Sequence, residues 1–181
     1  MSFAAWEFKE EARKVVPFKV RARAWKFGDN INTESILPTE ILHGRYPLDV
    51  VKRNMFAAYD PEFGPNFKEN DIIVAGGNMG CSSSRYASGY LKRFGISVII
   101  AESVSQIFYR NSVCAGLPVL VCPGITKKVN KGDELEVNIE TGEIRNLTTG
   151  EVIKANPPRK EILEIIKAGN LFWYLREKGK I

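Results

Sequence analysis

The sequence predicts an α/β fold in which a parallel strand-helix-strand unit is joined to antiparallel strands. Three short, almost continuously apolar runs at residues 72–75, 98–101 and 118–121 alternate with two segments of helical periodicity. Such runs are typical of parallel strands buried on both faces, and their crossovers are expected to be right-handed. Residues 134–140 alternate apolar and polar side chains and precede two Thr-Gly turns, which predicts an antiparallel hairpin or meander.

The helices and the first strand are predicted from spacing. Residues 18–24 alternate apolar and basic side chains, as in a strand buried on one face. Apolar residues at helical spacing predict a helix over 48–59 and another over 87–94, which Gly95 ends. A further helix opens near Val104 and closes at Gly116.

The C-terminal residues 157–181 are predicted to form a helical tail on a single domain of residues 1–181. The Asn-Pro-Pro run at 156–158 can cap the last helix, and Gly169 stops it. The strongly apolar run 171–175 either packs back on the domain or meets a partner.

Composition excludes several classes of protein. The net charge is +5, but the basic residues are dispersed and do not interleave with aromatic residues, so we expect no binding to nucleic acid. No apolar run approaches the roughly 20 residues of a membrane-spanning helix. Residues 1–14 lack the apolar block of a secretory signal, so we expect a cytoplasmic protein. An anionic small substrate suits the modest positive charge.

Cysteine and histidine are scarce. The three cysteines, Cys81, Cys114 and Cys122, include no C-x-x-C pair. This pattern argues against a disulfide framework and against a zinc or iron–sulfur site built by this chain alone. The single histidine, His43, would have to serve any Ser-His-Asp triad, and nothing else in the sequence supports one.

The loop after the first parallel strand concentrates the polar chemistry. Residues 76–85 read Gly-Gly-Asn-Met-Gly-Cys-Ser-Ser-Ser-Arg, and a helix is expected to begin at about Ser84. Ligands of open α/β sheets bind at the carboxyl ends of strands, and a helix start offers unpaired N–H groups. Three hydroxyls and the planar fork of Arg85 suit a carboxylate. The alternative is that the serines cap the helix and Arg85 is a surface cation.

A dinucleotide site is a competing interpretation of the same loop. Ala75-x-Gly77-x-x-Gly80 is one glycine short of the G-x-G-x-x-G fingerprint, and Glu102 closes the next strand where a ribose-binding acid would stand. Against it, Ala75 replaces the first glycine. The polar stretch 81–84 also occupies positions where a dinucleotide-binding helix would pack on the sheet.

Three segments, in the same order, resemble a known family. Residues 78–85 resemble the N-F-G-C-G-S-S-R loop of the small subunits of 3-isopropylmalate dehydratase and homoaconitase, in the aconitase superfamily. Residues 28–38 resemble the family's G-D-N-I-D-T-D-x-I-x-P, and residues 107–118 resemble its I-F-x-x-N and G-L-P stretch. The resemblance implies a three-layered swivelling β/β/α domain. It also implies a hydro-lyase active only with a large subunit, which binds a [4Fe-4S] cluster while this chain binds none.

The resemblance also implies roles for individual residues. Ser83 matches the serine that acts as general base, and Ser84 and Arg85 match residues that bind the substrate carboxylate. Glu34 stands where the family has an acidic residue thought to assist the active site. Its alternative role is that of a turn or cap residue.

Departures from the family pattern leave the substrate open. Ser82 replaces a glycine and is expected to restrict the loop, Asn32 replaces an aspartate, and Tyr86 replaces a glutamate. After Pro38 the usual Tyr-Leu motif is absent, and His43 or Arg45 could meet the variable end of the substrate. We expect the small subunit of an isopropylmalate isomerase of leucine biosynthesis. The alternatives are a homoaconitase, another malate-derivative dehydratase and a non-catalytic paralogue. The isolated chain could also form a homo-oligomer.

Overall fold

The computed structural model describes residues 13–43, 46–82 and 86–181, with only the backbone described at residues 42 and 43. Within these ranges one mixed sheet has the order β4-β3-β2-β1-β5-β6-β7. No helix among the described residues is both long and apolar enough to cross a bilayer. The strands are β1 (Lys19–Lys26), β2 (Ile72–Ala75), β3 (Val98–Ala101), β4 (Val119–Val121), β5 (Glu134–Asn138), β6 (Glu143–Asn146) and β7 (Val152–Lys154).

The predicted division into parallel and antiparallel strands is confirmed. Strands β1 to β4 are parallel, with Ala24 opposite Ile72 and Ile73 opposite Ile99. Strand β5 pairs antiparallel with the other edge of β1, and β6 and β7 follow as a meander. The sheet curls, because the backbone N–H of Asn156 donates to Val121 O at 2.9 Å and links the end of β4 to the residues after β7.

The described helices are short, and most of them belong to the segments of chain that connect one parallel strand to the next. They are α1 (Thr33–Ile36), α2 (Thr39–His43), α3 (Leu48–Arg53), α4 (Phe63–Asn66), α5 (Ala87–Arg93), α6 (Gln106–Ala115), α7 (Lys160–Ala168) and α8 (Leu171–Glu177). Alternate residues of β2 belong to different cores. Ile73 packs with residues of α5 and α6, whereas Ile72 and Val74 pack with the apolar residues of the curled antiparallel strands.

The helix predicted over 48–59 is wrong in its second half. Helix α3 ends at Arg53, and the side chain of Asn54 donates to Val50 O at 2.8 Å. Phe56 then adopts a left-handed φ of 57°, which ends helical geometry although no glycine stands there. Met55 and Phe56 are fully buried, but Tyr59, expected on the apolar face, is 39% exposed.

The C-terminal helices differ in detail from the prediction. Helix α7 begins after Arg159 without a side-chain cap, so the expected cap at 156–158 is wrong, and Asn156 instead contributes to the curl of the sheet. Gly169 ends α7 at a φ of 100°, as predicted. Helix α8 follows at once, its first amides capped by Asn170, and its Trp173 is buried. Both helices contact α6.

A buried carboxylate holds the start of β2 to β1. Asp71 Oδ2 accepts hydrogen bonds from Arg23 Nη2 at 2.9 Å, Trp25 Nε1 at 2.7 Å and the Lys68 amide at 2.9 Å. Asp71 is 4% exposed and Trp25 3% exposed. Removing the carboxylate would leave a buried indole N–H, a partly buried amide and a guanidinium without their acceptor.

We expect Asp71→Ala to lower the free energy of unfolding by about 3 kcal/mol, because buried donors lose their acceptor. Urea denaturation of the purified chain measures this loss. Asp49→Ala is the matched control, since Asp49 is exposed and lies 3.6 Å from Arg53. Its effect should stay below about 1 kcal/mol. Equal effects of the two substitutions would contradict the role of Asp71.

Candidate active site

The loop that leaves β2, residues 76–82, is held between two other loops at the carboxyl edge of the parallel strands. On one side it meets residues 28–33, which follow β1: the amide of Gly80 donates to Ile31 O at 2.7 Å, and that of Asn30 donates to Gly77 O at 2.8 Å. On the other side it meets residues 103–105, which follow β3, through the Met79 amide and Ser103 O at 3.0 Å. The first two motif segments therefore lie side by side.

Two glycines allow the loops to approach this closely. A Cβ added at Gly76 would lie 2.0 Å from Asp29 Oδ1, the atom that accepts the Gly77 amide at 2.7 Å. A Cβ at Gly80 would lie 2.1 Å from Cγ of the Phe108 ring, and Gly80 has a φ of 75°. The carbonyl of Gly80 also accepts the Ser105 hydroxyl at 2.6 Å. The glycines thus serve packing between loops.

The loop carries two non-glycine residues in the left-handed region. Asn78 has a φ of 58°, and its side chain donates to Asn30 Oδ1 at 3.0 Å. Ser82, where the family usually has glycine, has a φ of 80°. Asparagine tolerates this geometry better than serine does, so the substitution at 82 places local strain beside the predicted catalytic residues.

Glu34 lies in the first turn of α1, next to the loop. The amide of Thr33 donates to Cys81 O at 3.2 Å, and Asn32 pairs with Cys81 as an isolated parallel bridge. The Glu34 side chain is exposed, and its Oε1 accepts the Thr39 hydroxyl at 2.6 Å. Asn32 is the cap of α1, because its Oδ1 accepts the Ser35 amide at 2.7 Å. Glu34 is therefore not the capping residue.

The other predicted site residues lie outside what the structure describes. These are Ser83, Ser84, Arg85 and Arg45, together with the side chain of His43. The helix after the loop begins at Ala87, later than the expected start at about Ser84. The reason lies in Tyr86, whose backbone leaves helical geometry with a ψ of 45° and whose ring lies over Gly89.

The dinucleotide interpretation fails because the loop amides are already engaged. The amides of residues 77–81 donate to Asp29, Ser103 or Ile31, either through side-chain or through carbonyl oxygens. A pyrophosphate would need these N–H groups free. Glu102, the candidate for binding ribose, accepts the hydroxyl of Thr126. The described residues therefore offer no dinucleotide cradle.

An open depression of about 290 Å³ borders the loop at the ends of β3 and β4. Its lining includes Val104, which pairs with Met79 of the loop, and Tyr109 on α6. Burial raises the pKa of the Tyr109 hydroxyl above its ordinary value, and this protonated group can donate a hydrogen bond. The depression is lined by α6, by β4 and by the segment after β3, and it lies beside the loop.

The described residues do not fit an iron–sulfur cluster. Among them, no three histidine, cysteine or acidic side chains lie close enough together to hold a metal ion. Cys114 is exposed whereas Cys122 is buried. Burial raises the pKa of the Cys122 thiol, which disfavours the thiolate that a metal requires.

Sequence reasoning missed the residues that hold the loops together. Tyr59 bonds to the loop after β1, and Ser103 and Ser105 bond to the loop after β2. Asp29 belongs to a recognised motif, which was the available signal for it. Tyr59 gave no such signal, because its spacing matched a helical face.

Comparison with known proteins identifies the same family. Residues 27–123 match the model of the aconitase C-terminal domain. The isopropylmalate/citramalate isomerase small subunit of Methanocaldococcus jannaschii is 51% identical over 88% of this chain and 95% of its own length. The 3-isopropylmalate dehydratase small subunit of Aquifex aeolicus is 44% identical over 88% of this chain and 96% of its own length.

Solved structures share the fold. The crystal structure of a 3-isopropylmalate dehydratase from Methanocaldococcus jannaschii matches with a TM-score of 0.82 and 34% identity, over 89% of this chain and 95% of that one. The aconitase X of Thermococcus kodakaraensis matches with a TM-score of 0.50 and 13% identity, over 80% of this chain and 95% of that one. The second likeness concerns the fold alone.

Proposed function

The chain belongs to the aconitase C-terminal domain family, among the small subunits of 3-isopropylmalate dehydratase, and from this membership we propose that it forms part of a hydro-lyase that interconverts 2-isopropylmalate and 3-isopropylmalate. The observation that carries the proposal is the hydrogen bond from the Thr33 amide to Cys81 O at 3.2 Å. It places the turn that bears Glu34 against the loop that continues in sequence to Ser83. Two motifs 50 residues apart thereby lie side by side, which supports a site shared between them.

We assign the proton transfer to Ser83 and the binding of substrate carboxylate to Ser84 and Arg85. Dehydration removes a proton from carbon and the neighbouring hydroxyl as water. A serine hydroxyl is a weak base, so its alkoxide needs nearby donors and positive charge in a site that excludes water. Arg85 supplies the charge in this assignment, and Glu34 assists from α1. His43 and Arg45 are proposed to contact the variable group of the substrate.

We further propose that the whole chain is one swivelling domain and that the large subunit holds the [4Fe-4S] cluster. The small-subunit relatives support a large partner, and the described residues do not form a metal site. Cys81, Cys114 and Cys122 form no disulfide with one another, and we propose a location in the reducing cytoplasm. The chain is proposed to form a homo-oligomer when it is isolated from the large subunit.

Citramalate is the second candidate substrate, because the relative from Methanocaldococcus jannaschii is named for both acids. The two substrates share the malate carboxylates and differ in the size of one apolar group. A pocket that contacts the isopropyl group should therefore discriminate against the smaller methyl group. Homocitrate, the substrate class of a homoaconitase, carries a carboxylate in that group, which would pair with a cation such as Arg45, so the assay includes it.

The assembled enzyme tests the proposal directly. The chain is co-expressed with its large subunit, and steady-state dehydration of isopropylmalate, citramalate and homocitrate is compared. We expect kcat/KM for isopropylmalate to exceed that for citramalate by at least about tenfold. A preference for citramalate or homocitrate would contradict the proposed substrate but would leave the family membership unchanged. An assembled complex inactive on all three acids would favour the non-catalytic paralogue.

A further inference from the structure

A strained turn, residues 56–60, lies against α1. Phe56 has a φ of 57° although it is bulky and fully buried, a geometry that costs of order 1–3 kcal/mol. An aromatic cluster holds it there: the Phe56 ring stacks on Phe27 at 4.4 Å and lies 4.8 Å from Phe63. The amides of Tyr59 and Asp60 both donate to Phe56 O at 2.8 Å, which fixes the position of Tyr59.

This turn contacts both ends of α1. At the C-terminal end, the Phe56 amide donates to Ile36 O at 3.2 Å. At the N-terminal end, the Tyr59 hydroxyl accepts the Asn32 amide at 3.1 Å and donates to Asn30 O at 3.3 Å. One hydroxyl thus serves as both acceptor and donor for backbone groups two residues apart.

We propose that Tyr59 is a positioning residue, which fixes α1 and thereby the carboxylate of Glu34 in the active site. The inference rests on the role assigned to Glu34 in the proposed function. Helix α1 has a single turn, so few intrahelical bonds define its orientation. Its cap residue, Asn32, is also the residue whose amide Tyr59 binds.

The path from Tyr59 to Glu34 is short and rigid. Asn32 Oδ1 accepts the Ser35 amide at 2.7 Å, so a shift of Asn32 moves the helix. Glu34 stands two residues beyond Asn32, and its orientation also depends on the Thr39 hydroxyl at 2.6 Å. Loss of the Tyr59 hydroxyl removes two of the bonds that hold Asn30 and Asn32, so the start of α1 can shift within its remaining bonds to residues 76–82, whereas the aromatic ring keeps its contact with Phe56. The expected defect is in geometry and not in folding.

Tyr59→Phe in the assembled enzyme measures this role. We expect kcat to fall about tenfold while KM changes less than about twofold, since misplacement of an active-site group lowers turnover. Tyr174→Phe is the matched control, because the Tyr174 hydroxyl also donates a hydrogen bond, in its case to the side chain of Glu164 on the C-terminal helices, with 3.3 Å to Oε2. That variant should keep kcat within about twofold. An unchanged kcat in Tyr59→Phe would overturn the proposal.

A double-mutant cycle with Glu34→Gln separates positioning from a general structural effect. If Tyr59 acts through Glu34, adding Tyr59→Phe to Glu34→Gln should lower kcat by less than about twofold more. A further tenfold loss in that background would overturn the positioning role. Glu34→Gln alone with normal kcat would overturn the assignment of Glu34 and the positioning role together. A defective Glu34→Gln enzyme beside a normal Tyr59→Phe enzyme would overturn the positioning role alone.

Discussion

Replacing Ser83 by alanine is expected to lower kcat of the assembled enzyme by at least about a thousandfold, because a positioned general base contributes about that much to proton transfer. KM should change little, since the carboxylate contacts are assigned to Ser84 and Arg85. Steady-state kinetics measures both constants. Size-exclusion chromatography of the co-expressed subunits should show normal assembly.

Ser84→Ala is the informative comparison with Ser83→Ala. The two residues are adjacent and chemically identical, but only Ser83 is assigned the proton. Ser84→Ala should raise KM by about tenfold, the loss expected for one hydrogen bond to a charged group, and lower kcat much less. A Ser83→Ala enzyme with kcat within tenfold of the wild type would remove Ser83 as the base. A collapse of kcat only in Ser84→Ala would transfer the role to Ser84.

The sequence predicted the parallel strands because their signal is local. Gly76 follows the run that became β2, the polar residues Ser97 and Glu102 flank that of β3, and Pro118 precedes that of β4. Every residue of the three strands is buried except Val121, which is half-buried. Gly116 adopts a left-handed φ of 69° as a helix-ending residue, as its position indicated. A glycine that ends a helix can be recognised from sequence, because the left-handed φ at that position favours glycine over other residues.

The boundaries that failed depend on contacts distant in sequence. No sequence signal near Phe56 indicates a left-handed φ, because this conformation depends on packing against Phe27, 29 positions away. Asn156 stands where a helix cap is expected from sequence, but its backbone N–H instead donates to Val121 O in the curled sheet. Periodicity and capping rules consider only neighbours along the chain. The conformations of Phe56 and Asn156 depend on residues distant in sequence, which these rules do not consider.

The same distinction applies to the candidate site. Motif resemblance assigned the site to the loops after β1 and β2, and the structure places residues 28–33 beside residues 76–82. The roles of the individual residues stay predictions. Resemblance did not predict the residues that hold the loops together. Ser103 binds the loop through its hydroxyl and its carbonyl from 25 positions away, which no local pattern reveals.

Gly80→Ala is expected to lower the free energy of unfolding by about 3 kcal/mol or more, and to reduce activity with it. An added Cβ would lie 2.1 Å from Cγ and 2.3 Å from Cβ of Phe108, a side chain fully buried in the core. Overpacking at a site that cannot expand costs about 1–3 kcal/mol, and the left-handed φ adds about 1–2 kcal/mol for any side chain. Urea denaturation measures the sum.

Gly150→Ala separates the two contributions, because Gly150 has a φ of 81° but no atom within 4 Å of an added Cβ. It should cost only the conformational part, about 1–2 kcal/mol. The excess in Gly80→Ala is then the clash with Phe108, and relief of that clash moves the Gly80 amide from Ile31 O and the Gly80 carbonyl from Ser105. Since the bond to Ile31 holds the loop against the segment that leads into α1, kcat should fall beyond the loss of folded protein. Equal costs at the two glycines would show that the loop yields without strain, and would end the argument that close packing at Gly80 defines the site.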